Sequence, residues 1–310
     1  MMNLDEIEAE LLKNVANIDG VPEGAYNFRV NGKSIGRKSS ENINVEPRET
    51  GDGLKITIAP NTNAEAVHIP VIISKSGYAE TVYNDYYIGE NANVTIIAGC
   101  GIYDCGTDDS IHDGIHRFYV GKNAKVKYIE KHYGAGPSKG KILNPTTEVF
   151  LEEGSYAELE MEQIKGVDST IRTTKAVLKK GSQILINERL FTEGRQEATS
   201  KYEVTMDEDN TSTNIISRSV ATDFSRQIFK SNIIGAAKCK GHSECDAILM
   251  DKGSVLALPA LDARNLDAEL IHEAAIGKIA GEQITKLMTL GLTQQQAESQ
   301  IVGFVIIFFI

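Results

Sequence analysis

The 310-residue chain has no tryptophan, and aromatic residues make up only 6% of it, so it offers few stacking surfaces for a sugar chain. It also lacks any run of clustered Lys and Arg, and its formal charge is -11. Nucleic acid binding begins by neutralising phosphates, so this balance argues against a nucleic acid partner. Cys100, Cys105, Cys239 and Cys245 include no C-x-x-C pair, which removes the usual local zinc and redox signatures. The one strongly apolar run, the terminal IVGFVIIFFI, has about ten residues against the roughly twenty of a spanning helix, so no membrane span is expected. The opening MMNLDEIEAELLKNV is acidic and amphipathic and has no basic flank or apolar block of a secretory signal. A cytoplasmic protein with reduced thiols is expected.

Two further motifs fail on their residues. GAGPSKGKI (134–142) has Ala135 where a phosphate loop needs its first glycine and Ile142 where it needs a magnesium-binding hydroxyl. No nucleotide is therefore expected on this chain. A calcium loop opening at Asp207 and Asp209 would have Ser212 at its turn glycine and Arg218 at its bidentate acid.

What the chain does have is periodicity of two kinds. Leu4, Ile7, Leu11, Val15 and Ile18 recur at three- and four-residue steps, which predicts an N-terminal amphipathic helix with Asn3 and Glu6 at its capped start. From about residue 26 to residue 275, short alternating strands rich in Val, Ile, Thr and Tyr are separated by Gly or Asn turns. One turn-plus-strand phrase returns: GENANVTIIAG at 89, GKNAKVKYIEK at 121, EGSYAELEMEQ at 153, KGSQILINERL at 180, EDNTSTNIISR at 208 and KGSVLALPALD at 252. A β-sandwich has no reason to reuse one turn at an interval of about 30 residues, whereas a solenoid does. After HEAAIGK the pattern becomes two short helices broken at Gly291, the second with a Thr293–Gln296 capping box. Helices at both termini would cover the ends of the stack or serve as docking surfaces. The expected divisions are an N-terminal helix (1–24), a β-solenoid core (25–277) and a C-terminal helical segment (278–310).

The densest polar cluster is CGTDDSIHDGIH, which holds Cys105, Asp108, Asp109, His112, Asp113 and His116. It reads as a polar loop between coils. His112 and His116 would need to converge to bind a metal, and paired acids on a β-solenoid also suit a carbohydrate-active enzyme. The lack of aromatic platforms and of a secretory signal argues against that alternative.

At the end of the strand region, Cys245 stands in C-D-x-x-L (245–249) and is followed by H-E-A (272–274), Gly277 and G-E-Q (281–283). With AGC at 98–100, KVKY at 125–128 and KGKILN at 139–144, this combination resembles the SufB/SufD scaffold family of iron-sulfur cluster assembly over roughly residues 85–305. The resemblance is closer to SufB. It implies a right-handed parallel β-helix with helical ends, dimerisation through that core, and docking of the ABC-type ATPase SufC on the C-terminal helices. It implies that Cys245, Glu273 and His272 hold a transient iron-sulfur cluster and that Cys100 accepts sulfur. It gives no role to Cys105 or Cys239 and names no sulfur donor. Two departures stand out. His132 replaces a glutamine, and Glu148 occupies the place of a lysine on the family's proposed sulfur path. The long N-terminal region of typical SufB proteins is absent as well, so a compact, non-catalytic homodimeric scaffold is expected, with ATP hydrolysis on a separate subunit.

Thiolates are the main cluster ligands, and His and carboxylate are weaker ones. One chain has few cysteines near Cys245, which suggests two chains sharing a cluster. Strand alternation would place Ser243, Cys245 and Ala247 on one face and Glu244 and Asp246 on the other, and it would separate His272 from Glu273.

Overall fold

The computed structural model describes residues 4–18, 20–279 and 281–307, except for the side chains of Ile164 and residues 304–307. The strands in chain order are β1 (Ala25–Val30), β2 (Lys33–Lys38), β3 (Ile43–Pro47), β4 (Gly53–Ile58), β5 (Asn63–Ile73), β6 (Ala79–Ile88) and β7 (Asn93–Tyr103). Then come β8 (Ser110–Val120), β9 (Lys125–Ala135), β10 (Lys141–Leu143), β11 (Thr146–Leu151), β12 (Tyr156–Lys165) and β13 (Ser169–Leu178). The last are β14 (Gln183–Thr192), β15 (Glu197–Met206), β16 (Thr211–Ala221), β17 (Arg226–Gly235), β18 (Cys239–Leu249), β19 (Ser254–Ala263) and β20 (Glu269–Gly277). From β5 onward the chain alternates between two sheets, ordered β2-β1-β5-β7-β9-β12-β14-β16-β18-β20 and β19-β17-β15-β13-β10-β8-β6-β4-β3, with β11 extending β10 between β8 and β13. Each pair of strands is one coil of a β-solenoid.

The repeat phrase builds one corner of every coil. Asn91, Asn123, Gly154, Gly181 and Asn210 occupy the left-handed position at equivalent turns, with φ from 55° to 71°, a region most side chains avoid. The strands they feed stay in register: Asn93 lies beside Lys125, then Tyr156, Gln183, Ser212 and Lys240. KGSVLALPALD is different. It feeds β19 in the other sheet, and its left-handed residue is Asp251, not Gly253. Gly253 is needed for another reason, since a Cβ there would come 2.3 Å from the Ala221 carbonyl oxygen. The shared letters arise because both corners need small, turn-forming residues.

Alternating side chains point inward and form one core, among them Ile96, Tyr86, Phe118, Tyr128, Leu159, Ile186 and Ile215. Helix α1 (Glu6–Ala16) is capped by Asp5, whose Oδ1 accepts from the Glu8 amide at 2.8 Å. The cap thus lies two residues beyond the expected Asn3, which falls outside the described residues. α1 does not cover the end of the stack. It lies on the outer face of β5, β7 and β9, burying Leu11 and Val15. Gly99 permits this approach, because a Cβ there would come 2.5 Å from the Val15 carbonyl oxygen. The first coil is closed instead by the antiparallel hairpins β1–β2 and β3–β4.

Helices α2 (Gly281–Thr289) and α3 (Gln294–Ile307) are separated at Gly291, whose φ is 95°, and Thr293 and Gln296 form the expected box at 2.9 and 3.2 Å. α3 folds back against β14 and β16 and leaves the final coil, β19 and β20, uncovered. The last three residues of the apolar terminal run lie outside the described residues. No helix among the described residues is long and apolar enough to cross a membrane.

Candidate functional site

Strand alternation sends polar residues inward along one half of the solenoid. In β9 the inward series is Val126, Tyr128, Glu130 and His132, all buried. Parallel pairing then builds rows across the coils, and the one shift between β9 and β12 falls after Gln163, beyond these rows. One row runs Glu130, Met161, Glu188, Ser217, Cys245 and Ala274, and its neighbour begins Cys100, His132, Gln163 and Leu190. Cys100 and Cys245 are five strand steps apart, about 24 Å at the usual strand spacing.

At the first end, Cys100 meets His132 in register on β9 and His112 from β8 in the opposite sheet. Burial alone would push the Cys100 thiol up, but the charge and hydrogen bonds of His112 and His132 outweigh it and bring it down to about 7. His112 responds in the opposite sense. Burial disfavours its cation, yet Cys100 and Glu80 raise it to about 10, with Glu80 Oε1 at 3.2 Å from Nδ1. Cys100 and His112 form a buried thiolate–imidazolium pair at neutral pH. His116 points inward beside them, but burial and the surrounding cations His112, His132 and Arg172 outweigh the pull of Glu130 and hold it neutral, down to about 4.

The middle of the ladder is ionic. Glu130 is bonded by Arg172 and accepts from the Tyr128 hydroxyl at 2.9 Å. Burial would favour its neutral form, but Arg172 and His132 hold its carboxyl well below the usual range. Arg172 Nη2 lies 3.4 Å from His132 Nδ1 and its Nε lies 3.8 Å from Glu188. Glu188 accepts from the Ser200 hydroxyl and, at 2.7 Å, from Ser217, which lies in register with Cys245. The chain of contacts therefore runs Cys100, His132, Arg172 and Glu130, Glu188 and Ser217, and Cys245 stands beside Ser217 in strand register.

At the other end, burial and then the charges of Glu188 and Asp246 push the Cys245 thiol up to about 12. Ser243 and Ala247 flank it on the inward face, and His272 Nδ1 lies 3.0 Å from the Ser243 carbonyl oxygen, to which it donates. Cys245 is only 1% exposed, so the room for a cluster that its small-residue face suggested is closed in the single chain by β20, with Ala274 in register against it. Glu244 points outward to Arg218 at 3.1 Å, and Glu273 pairs with it on that outer face. The expected separation of His272 from Glu273 is observed.

The remaining sequence-selected residues are dispersed. Cys239 is buried on the inward face of β18, six residues from Cys245, with its thiol raised by burial. Cys105 is exposed in the β7–β8 connection and its Sγ lies 3.7 Å from the Ser76 hydroxyl. Asp108 and Asp109 share that connection, and Asp113 faces outward to Asn144 at 3.0 Å. The expected polar loop is thus only half a loop: from Ser110 the segment is β8, with His112 and His116 inward around Gly114. Glu148, expected on the internal path, faces outward to Arg117 at 2.9 Å, and Thr147 occupies the inward position. Sequence reading passed over His112 as a site residue and missed Glu130, Arg172, Glu188 and Ser217. Their signal was a charged or hydroxyl residue at core parity within an alternating strand.

Residues 75–303 match the family described as "SUF system FeS cluster assembly, SufBD core domain". The chain is 30% identical to an iron-sulfur cluster assembly SufBD family protein of Archaeoglobus fulgidus over 276 residues, 88% of this chain and 73% of the relative. It is 28% identical to one from Pyrococcus horikoshii over 95% of this chain and 92% of that protein, and 26% identical to one from Methanocaldococcus jannaschii over 86% and 84%. A relative from Methanothermobacter thermautotrophicus, 28% identical over 76% of this chain, is matched over 57% of its own length. The β-solenoid, the ladder inside it and these similarities agree: the chain belongs to the SufBD family of iron-sulfur cluster assembly proteins.

Proposed function

We propose that this chain is a non-catalytic scaffold subunit on which an iron-sulfur cluster is built as cargo in the cytosol. Cys100, assisted by His132, receives sulfur: its thiolate attacks the outer sulfur of a donor persulfide, and the donor leaves as a thiolate. The persulfide on Cys100 and the thiol of Cys245 are then the two ends of the ladder, whose charged and hydroxyl groups line the interior between them. Cys245 and His272 then hold the nascent cluster from the inner face, with Glu273 on the other side of the same edge strand. The observation that carries this reading is the run of charged and hydroxyl side chains inside the solenoid between two buried thiols. A solenoid that only needed stability would fill those positions with apolar residues, because buried ion pairs rarely repay their desolvation.

Cys245 is one thiol per chain at the uncovered end, which supports a homodimer whose copies share the cluster. β19 and β20 present Leu256, Leu258, Leu261 and Ile271 to solvent, and an apolar unpaired edge invites pairing with another strand. Residues 278–310 dock a SufC-like ABC ATPase, which hydrolyses ATP and shifts the dimer between closed and open arrangements; residues 1–24 and 25–277 are the N-terminal helix and the core. Anaerobic reconstitution with iron and sulfide tests the site through the visible absorption of the cluster. Cys245→Ala should lose most of it, and Cys100→Ala should lose cluster only when sulfur is supplied as persulfide. Unchanged yield in Cys245→Ala would refute the assignment. A pull-down with the ATPase should fail for a chain cut at residue 278, and retained binding would move the docking surface elsewhere.

A further inference from the structure

We propose that the outer face of β18 and β20 carries a mononuclear site for a divalent transition-metal ion, held by His242, Glu244 and Glu273. On the scaffold reading, from which the ion's identity follows, this ion is ferrous iron waiting beside the cluster position; the site itself does not depend on that reading.

His242 and Glu244 are two residues apart in β18 and so share its outer face, and Glu273 lies directly beside Glu244 in β20. One donor atom from each of the three lies within 4.8 Å of the others. Ligands bound at 2.0–2.2 Å to one ion stand at most about 4.4 Å apart, so a small side-chain rotation closes the set. The orientation of His242 adds an independent observation. Its Nδ1 lies 3.0 Å from Asn214 Oδ1, an atom that only accepts, so Nδ1 carries the ring proton. Nε2 then presents its lone pair to Glu273 Oε2 at 3.4 Å. In the neutral ring the two acceptors face each other across a gap that a cation, whether a proton or a metal ion, would fill, and metal-binding histidines commonly have their other nitrogen anchored this way.

The donor set is imidazole and carboxylate, with no thiolate, because Cys245 is on the opposite face of the same strand. Such donors suit a single divalent ion better than a cluster. Three protein ligands leave coordination positions for water, and Glu273 is 68% exposed, so the ion could enter and leave from solvent. Positions on two paired strands also hold the geometry more rigidly than a loop would.

Anaerobic titration of the full chain with Co2+, followed by visible absorption, tests the site. The expected result is saturation at one ion per chain, without the thiolate-to-cobalt band that Cys245 would add. His242→Gln and Glu273→Gln should each weaken binding at least ten-fold. Asn214→Ala, which removes only the anchor, should weaken it by roughly ten-fold or more. Circular dichroism melts of the three variants show whether each remains folded, and all three positions are on the outer face. No saturable binding, equal affinity in His242→Gln and Glu273→Gln, or a thiolate band in the wild type would overturn the site. Fe2+ in large excess, needed because such a donor set ordinarily prefers Co2+, should displace the bound Co2+. Failure to displace it would overturn the iron assignment alone, and a cobalt site that persists in protein unable to build a cluster would sink the scaffold reading alone.

Discussion

The two ends of the solenoid are built to opposite specifications. The first coil is sealed by hairpins whose edge strand β2 carries Lys33, Arg37 and Lys38, while the last coil ends in β19 and β20 with apolar residues on display. The buried thiols follow the same division. Near the sealed end, histidines bring Cys100 down to about 7, and near the open end, burial and acidic neighbours push Cys245 up to about 12. One thiol is set to react as an anion in the isolated chain. The other stays protonated until a metal or a second chain changes its surroundings, which delays its chemistry until assembly.

The sharpest test of this contrast breaks the open end alone. Leu258→Lys places a charge on the exposed face of β19, where Leu258 is 45% exposed and the cost to the single chain is small. If copies associate through this end as proposed, the variant should run as a monomer by light scattering on a sizing column at concentrations where the wild type dimerises, and its Kd should rise at least a hundred-fold. Ile35→Lys, in the charged edge strand β2, should leave the dimer intact. Equal effects at both positions would mean that the ends are not distinguished by self-association.

The ladder between the ends comes next in size. Glu130→Gln leaves Arg172 buried without its carboxylate, and breaking a buried pair in this way costs about 3–5 kcal/mol. Chemical denaturation should report a loss of that order. Lys127→Met, which removes the outward pair with Glu158 at 2.7 Å on the same strand, should cost less than about 1 kcal/mol.

Much of this was legible before any coordinates. The repeated turn phrase requires a left-handed residue at a fixed interval, and only Asn or Gly meets that requirement cheaply, so the coil length was readable. The faces of β18 and β20 followed from alternation alone. What failed was one-residue register: Glu148 and Thr147 are adjacent, and a slip of one exchanges inward for outward. Contacts between the two sheets were not readable either. His112 reaches Cys100, and Arg172 reaches Glu130, only because the lengths of the corners bring particular coils level. Nothing in the local sequence of β8 or β13 states that alignment. KGSVLALPALD misled for a related reason, since similar turns at two corners leave similar letters.

The smallest effect concerns the thiolate–imidazolium pair itself. The folded pKa of Cys100, about 7, is below its ordinary value of about 8.5, so its contribution is complete above that value and is lost as pH falls through 7. His112 is raised to about 10, so its contribution is complete below about 6.5 and is lost as pH rises through 10. Taken together the two shifts leave the pair's contribution nearly level between about pH 7 and 8.5, and it falls as pH rises from 8.5 to 10. His112→Gln should raise the Cys100 pKa by about one unit or more, read from the ultraviolet absorbance of the thiolate across a pH series, as the loss of a nearby cation requires. The wild type should lose Tm as pH rises from 8.5 to 10, and the same substitution should flatten that loss, whereas the thiol at Cys245, which has no cation beside it, should show no change. A Cys100 titration unmoved by His112→Gln would mean that His132 alone sets this thiol, and the contrast between the two ends would then rest on a single histidine.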